Sequence, residues 1–249
     1  MIVDPTFYVA AVPATILVGL SKGGFTGLSI LAQPLLALVL SPIQAAAILL
    51  PVLIVQDVVS LYAYWRRWNR AELMRTLPGA LAGILVGYLL AASVSDAEVA
   101  LGIGLLSIAE AGRKVLTKRL KRPPGVAGPI SAGLWSMVSG FTSMIANAGG
   151  PPLMIYLLRR PLGVQQFAAT AVAFFAVVNW VKLPFFLALG QVSAENLSTS
   201  AVLLPVAILA TFAGVALVRR VPADRFFGVV YFILAAVGVK LVYDGITAL

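Results

Sequence analysis

The sequence predicts an all-α polytopic membrane protein: two inverted-topology repeats, each a broken or re-entrant helical hairpin plus three transmembrane helices, about 8–10 helical segments in all. Three observations carry this expectation. First, 61% of the 249 residues are hydrophobic and only 11% are charged, with mean hydropathy +1.00. No soluble domain of this size needs so much apolar residue. The runs are long and broken by Gly and Pro instead of alternating in polarity, so helices and not β-barrel strands are expected. Second, the basic residues gather in a few connections. Third, two glycine-containing breaks, Gly19-Leu20-Ser21-Lys22-Gly23-Gly24-Phe25 and Asn147-Ala148-Gly149-Gly150-Pro151-Pro152, occupy matching places in the two halves.

A helix needs about 20 residues to cross the hydrocarbon core. Residues 6–20 and 25–40, on either side of the first break, fall short of that. Residues 43–64, 73–92 and 97–112 are long enough or nearly so. In the second half, 126–146 leads into the second break and 152–158 is a short return. Residues 164–189, 197–218 and 226–243 then follow as spans. Asp4 and the lack of a basic leader argue against a cleaved signal peptide. Short, Gly/Pro-interrupted segments at corresponding positions of two halves point to a binding site between them.

Fifteen of the eighteen basic residues lie in four clusters, within 65–75, 113–122, 159–160 and 219–225. The intervening connections hold only Asp96, Glu98 and Glu195. This asymmetry places the basic loops in the cytoplasm and both termini outside. It also accounts for the net charge of +9 without a nucleic-acid partner. Clusters 113–122 and 159–160 then share a side, so the chain between them must enter and return. Equivalent spans of the halves run in opposite directions. Gln44 aligns with Gln166 at an offset that also puts Asp57 on Asn179, and Pro78 and Gly87 match Pro205 and Gly214. The expected organisation is a first repeat at 1–112, a basic cytoplasmic linker at 113–125 and a second, inverted repeat at 126–249.

Cysteine and histidine are absent. That excludes disulfides, thiolate and imidazole metal sites, Cys nucleophiles and a Ser-His-Asp triad, and no cofactor is expected. Lys22 is the leading candidate for chemistry, since an intramembrane charge beside a helix break is functional by default. It would hold an anion with free backbone N–H groups at Gly23, Gly24 and Phe25; the competing account is a lysine snorkelling to the interface. Asn147, Gly149 and Gly150 would supply the facing half of the site, or else a close helix contact. Asp57 is either a proton carrier or one side of a structural ion pair, with Lys182 as the candidate partner. Lys182, close to Pro184 at a helix end, could itself snorkel. Gln33, Gln44, Gln56, Gln165 and Gln166 read as hydrogen-bonding cement between helices. Tyr62, Tyr64, Trp65 and Trp68 read as an aromatic belt, and Glu110 as a surface partner of Arg113 and Lys114.

Gly19–Phe25, Pro34-Leu35-Leu36 and residues 45–51 in the first half resemble the TauE/SafE family of sulfite exporters and anion permeases. So do Ser139-Gly140-Phe141, Gly149-Gly150-Pro151-Pro152, Thr170, Asn179 and Lys182-Leu183-Pro184 in the second. The resemblance implies a secondary carrier, not an enzyme, moving sulfite, organosulfonates or related oxyanions across a bacterial inner membrane. Protons or the membrane potential would drive it. The chain departs from the family's glycine triplets with Lys22-Gly23-Gly24 and Ala148-Gly149-Gly150, and the extra positive charge suits a dianion or an organic acid better than bisulfite. An anion channel on the same scaffold stays open as an alternative. An integral enzyme acting on lipid is the third reading, with few residues to catalyse with.

Overall fold

The computed structural model describes residues 2, 4–23, 28–91, 93, 95–120, 128–147, 149–157, 159–190, 192–217 and 223–248. Among them there is no strand. The helices are α1 (Pro5–Lys22), α2 (Ala32–Ala37, preceded by a 3-10 turn at Leu28–Leu31), α3 (Pro42–Ala63), α4 (Arg70–Ala91) and α5 (Asp96–Leu120). They continue with α6 (Pro129–Ala146), α7 (Gly150–Leu157), α8 (Val164–Ala188), α9 (Ala194–Leu217) and α10 (Ala223–Ala248). Five of them contain stretches long and apolar enough to cross a membrane: Pro5–Lys22, Gln44–Ala63, Arg70–Leu90, Gln165–Ala188 and Ala194–Ala216.

Local chemistry sets several starts. The Asp4 carboxylate accepts the Thr6 N–H with Pro5 at the first helical position, and the Ser41 hydroxyl accepts the Gln44 N–H ahead of α3, where Pro42 takes that position. Pro13, Pro51, Pro78, Pro184 and Pro205 sit inside helices, which neighbouring helices tolerate in an apolar medium. Two boundaries differ from expectation. α5 does not stop at residue 112 but runs to Leu120, so much of the expected basic linker is helical. α1 extends to Lys22, which makes the lysine the end of a helix and not part of the loop beyond it.

Glycine contacts give the relative directions of the helices. A Cβ on Gly79, Gly83 or Gly87 of α4 would strike Gly133, Met137 and Met144 of α6 in turn, so these helices run parallel. Gly19 of α1 and Gly23, which caps it, abut Ala210 and Gly214 of α9 in the same order, again parallel. Gly104 against Gly238, with Gly245 against Ala97 and Leu101, makes α5 and α10 antiparallel. Small residues permit such backbone approach where hydrophobicity alone cannot drive association.

The ends can be followed through polar contacts. At one end Arg67 Nη1 donates to Gln165 Oε1 at 2.9 Å, the Asn69 N–H donates to Thr170 Oγ1 at 2.9 Å, and Arg160 binds Glu72. Two of the four basic clusters therefore meet there. At the other end the Ile2 N–H donates to Thr199 Oγ1 at 3.0 Å and Gln44 Nε2 to Asn196 Oδ1 at 3.4 Å. α6 starts beside the start of α4 at the basic end, and the chain leaving α7 returns to Glu72 at that end. The α1–α2 hairpin likewise starts and returns at the opposite end. An 18-residue α6 spans about 27 Å and the eight-residue α7 about 12 Å, so the second break lies far from the end where its hairpin begins.

Two apolar cores result. One joins α4, α6, α7 and α8 around Ile84, Met144, Tyr156 and Phe174. The other joins α1, α2 and α9 around Phe7, Val18, Leu36 and Leu203, and α3 lends a face to each. Gly140→Ala puts a methyl group into the Ala80 carbonyl, whereas Gly102→Ala on α5 meets nothing within 4 Å. The first change should cost about 1–3 kcal/mol and the second should be neutral or mildly stabilising. Thermal unfolding in detergent, followed by size-exclusion chromatography, should show a lowered midpoint for Gly140→Ala only.

Candidate functional site

The expected site residues converge, with partners different from those expected. Lys22, the last residue of α1, ion-pairs with Asp57 Oδ1 on α3, and its ammonium lies 5.4 Å from the ring centroid of Phe175 on α8. The second oxygen of Asp57 accepts Asn179 Nδ2 of α8 at 2.5 Å. Asp57 is wholly buried and Lys22 and Asn179 nearly so. The partner of Asp57 is thus Lys22, not Lys182, the candidate named from the sequence. Lys22 is therefore neither snorkelling nor a free cation.

Lys182 is also fully buried, so the snorkelling account fails for it too. Its ammonium donates to the Ser143 carbonyl at 3.0 Å, to Ser143 Oγ at 3.2 Å and to Asn147 Oδ1 at 2.5 Å. Three donors meet three neutral acceptor atoms, and no carboxylate among the described residues ion-pairs with it. Asn147 in turn donates from Nδ2 to the Ala46 carbonyl of α3 at 3.2 Å. It caps α6 in the left-handed conformation with φ 51°, which asparagine tolerates better than most residues. A charge inside a membrane costs about 3 kcal/mol or more, so Lys182 in its protonated form would be stabilised by an anion beside it.

The two breaks differ as backbone sites. The Gly23 N–H is not free: it donates to the Gly19 carbonyl at 2.9 Å, and the Gly23 carbonyl accepts the Tyr64 hydroxyl at 3.0 Å. Burial pushes the Tyr64 phenol up from its ordinary value, against the pull of Arg67, which keeps it a donor. The expected cradle of backbone donors at the first break thus loses Gly23, while Gly24 and Phe25 lie outside the described residues. At the second break the Gly149 carbonyl accepts Ser139 Oγ at 2.6 Å, and a Cβ there would meet Ser139, Ser143 and Phe175. A Cβ on Gly150 would meet nothing within 4 Å, so this glycine faces open space at the start of α7. Pro151 and Pro152 have no N–H to offer, which leaves Gly149 and Gly150 as the donors at that start.

Ser143 was missed by sequence reasoning. The signal was present: Ser139, Ser143 and Asn147 recur every four residues on α6, a polar stripe on one helix face. Ser60, one turn from Asp57, has a buried hydroxyl without a partner among the described residues, as has Thr15 on α1. Gln56 acts as cement, donating to the Thr15 and Ala207 carbonyls of α1 and α9 at 3.2 and 3.4 Å. Tyr62 and Trp65 are exposed at the end of α3, Trp65 edge-on to Trp68 at 5.9 Å, as an interfacial belt requires. The side chain of Glu110 lies outside the described residues.

A second polar cluster anchors the α6–α7 hairpin. Buried Glu72 on α4 accepts the Tyr156 hydroxyl of α7 at 2.5 Å, Arg160 Nη2 at 2.9 Å and Arg75 Nη1 at 2.9 Å. Glu72 does not stand out in the sequence, since its charge lies among arginines in a connection that reads as surface.

Helices of this length and apolarity around a buried ionic site define a multi-pass membrane protein. The model of the sulfite exporter TauE/SafE family matches residues 11–241, and the chain belongs to that family. It is accordingly an anion-transporter-type membrane protein. No curated protein and no solved structure matches it.

Glu72→Ala removes the buried carboxylate that Tyr156, Arg75 and Arg160 share and should cost about 3 kcal/mol or more. Tyr156→Phe removes one hydrogen bond and should cost about 1 kcal/mol. Unfolding midpoints in detergent should rank wild type above Tyr156→Phe above Glu72→Ala.

Proposed function

We propose that the protein is a secondary carrier for a small sulfur-containing anion such as sulfite, an organosulfonate or a related oxyanion. The observation that carries this reading is the pair of buried lysines, one from each half of the chain, flanking a single buried carboxylate beside the two helix breaks. The substrate site comprises Lys22, Asn147, Gly149, Gly150 and Lys182. Asp57 and Asn179 are the coupling pair, and a proton is the coupling ion. Lys182 rather than Lys22 is the principal anion contact, because Lys22 already has a carboxylate.

The chain is read as two inverted repeats, 1–112 and 126–249, joined by 113–125, in a bacterial inner membrane with the basic loops cytoplasmic. Support comes from helix directions: each of α1 to α5 runs opposite to its counterpart among α6 to α10. Asp57 and Asn179, aligned between the halves, also touch each other, as residues on a two-fold axis must. Alternating access then moves the two apolar cores against each other. Because α4 packs with α6 and α9 with α1, each moving body contains helices from both halves.

The test is radiolabelled sulfite flux into proteoliposomes, with and without a pH gradient. Wild type should show saturable, gradient-accelerated flux, and Lys182→Met and Lys22→Met should each lower it at least about tenfold. Flux unaltered in both variants removes the lysines from the mechanism. Flux that neither saturates nor responds to the gradient identifies a channel.

A further inference from the structure

The charges of the site can be counted. Between the breaks the described buried groups include two ammonium groups, Lys22 and Lys182, and one carboxylate, Asp57. Asn179, which holds Asp57, and Lys182 lie three residues apart on α8, so the two clusters share one stretch of that helix. Asp57 spends both oxygens, one on Lys22 and one on Asn179. Lys182 is held by neutral oxygens alone. With both lysines protonated, the site carries one positive charge in excess, and that excess sits at Lys182.

Resting on the carrier reading, we propose that Asp57, in its ionised state, is the counter-anion that sets the charge of the bound substrate, so that the site with Asp57 ionised selects monoanions, such as a monosulfonate or hydrogensulfite, over dianions. A monoanion leaves the occupied site neutral. A dianion leaves it one charge negative, in surroundings where an unbalanced charge is costly. The extra lysine at the first break therefore does not favour a dianion, as sequence alone had implied, because its charge is already consumed by Asp57. Asn179 holds the carboxylate from the far side and keeps it aimed at Lys22, which makes it a positioning residue.

The experiment is equilibrium binding of methanesulfonate and methanedisulfonate, one and two full negative charges at neutral pH, to the protein in lipid nanodiscs. The quantity read is the ratio of the two Kd values. Wild type should bind methanesulfonate at least about tenfold more tightly. Asp57→Asn, which raises the excess charge by one, should shift the ratio toward the disulfonate by about tenfold or more. The double variant Lys22→Met/Asp57→Asn removes the ion pair as a unit, avoids an orphaned lysine and restores the original count, so it should keep the wild-type preference. Comparing ratios between proteins cancels the difference in ligand size. Equal ratios in wild type and Asp57→Asn, or a wild-type preference for the disulfonate, would overturn the proposal. Loss of the monoanion preference in the double variant would overturn it too, since its charge count is unchanged. If wild type binds neither sulfonate while carrying sulfite, the charge rule is wrong and the carrier reading stands. If sulfite flux is also absent, the carrier reading itself falls and the rule with it.

Discussion

A charge placed where neither water nor lipid can solvate it must find its complement within the protein, and the centre of this molecule is built on that requirement. Asp57 meets it from two directions. Lys22 reaches it from the end of α1, and Asn179 from the middle of α8. Three helices are thereby tied at one point. Lys182 and Asn147 add a second tie, from α8 through α6 to the backbone of α3. Removing Asp57 would release both of the first contacts together, which is why a single carboxylate outweighs any one apolar contact around it.

The packing around this centre follows from small side chains. Apolar surface gains little from burial when lipid is the alternative, so close backbone contact has to supply the attraction. The glycines of α4 and α6, of α1 and α9, and of α5 and α10 provide it. Their consequence for function is topological. Each of the hairpins α1–α2 and α6–α7 is held by a helix from the other half of the sequence, and Glu72 reinforces this by fastening α7 and Arg160 to α4. The two breaks thus sit on different packed bodies, with α3 and its aspartate between them.

Much of the architecture was legible before any coordinates. Long apolar runs demand helices, and the gathering of Arg66, Arg67, Arg70 and Arg75 opposite Asp96, Glu98 and Glu195 demands a sided molecule. Both are one-dimensional signals, carried by composition along the chain. The two breaks were legible because Lys22-Gly23-Gly24 and Asn147-Ala148-Gly149-Gly150 interrupt membrane-grade segments. The identity of Asp57, Asn179 and Lys182 as exceptional residues was legible as well, since polar groups in such segments are expensive.

Sequence by itself therefore determined the fold class and singled out Lys22, Asp57, Asn179 and Lys182 as residues under electrostatic tension. Tertiary structure decided who partners whom: Lys22 with Asp57, Lys182 with Ser143 and Asn147, Tyr156 and Arg160 with Glu72. It also decided that the Gly23 N–H is consumed by the Gly19 carbonyl and that α5 carries part of the basic segment as helix. The reason is the range of the forces involved. Hydropathy acts on each residue through its solvent and can be read locally. A buried ion pair depends on the few ångströms separating side chains on different helices, and only the packing of glycine against backbone sets that distance.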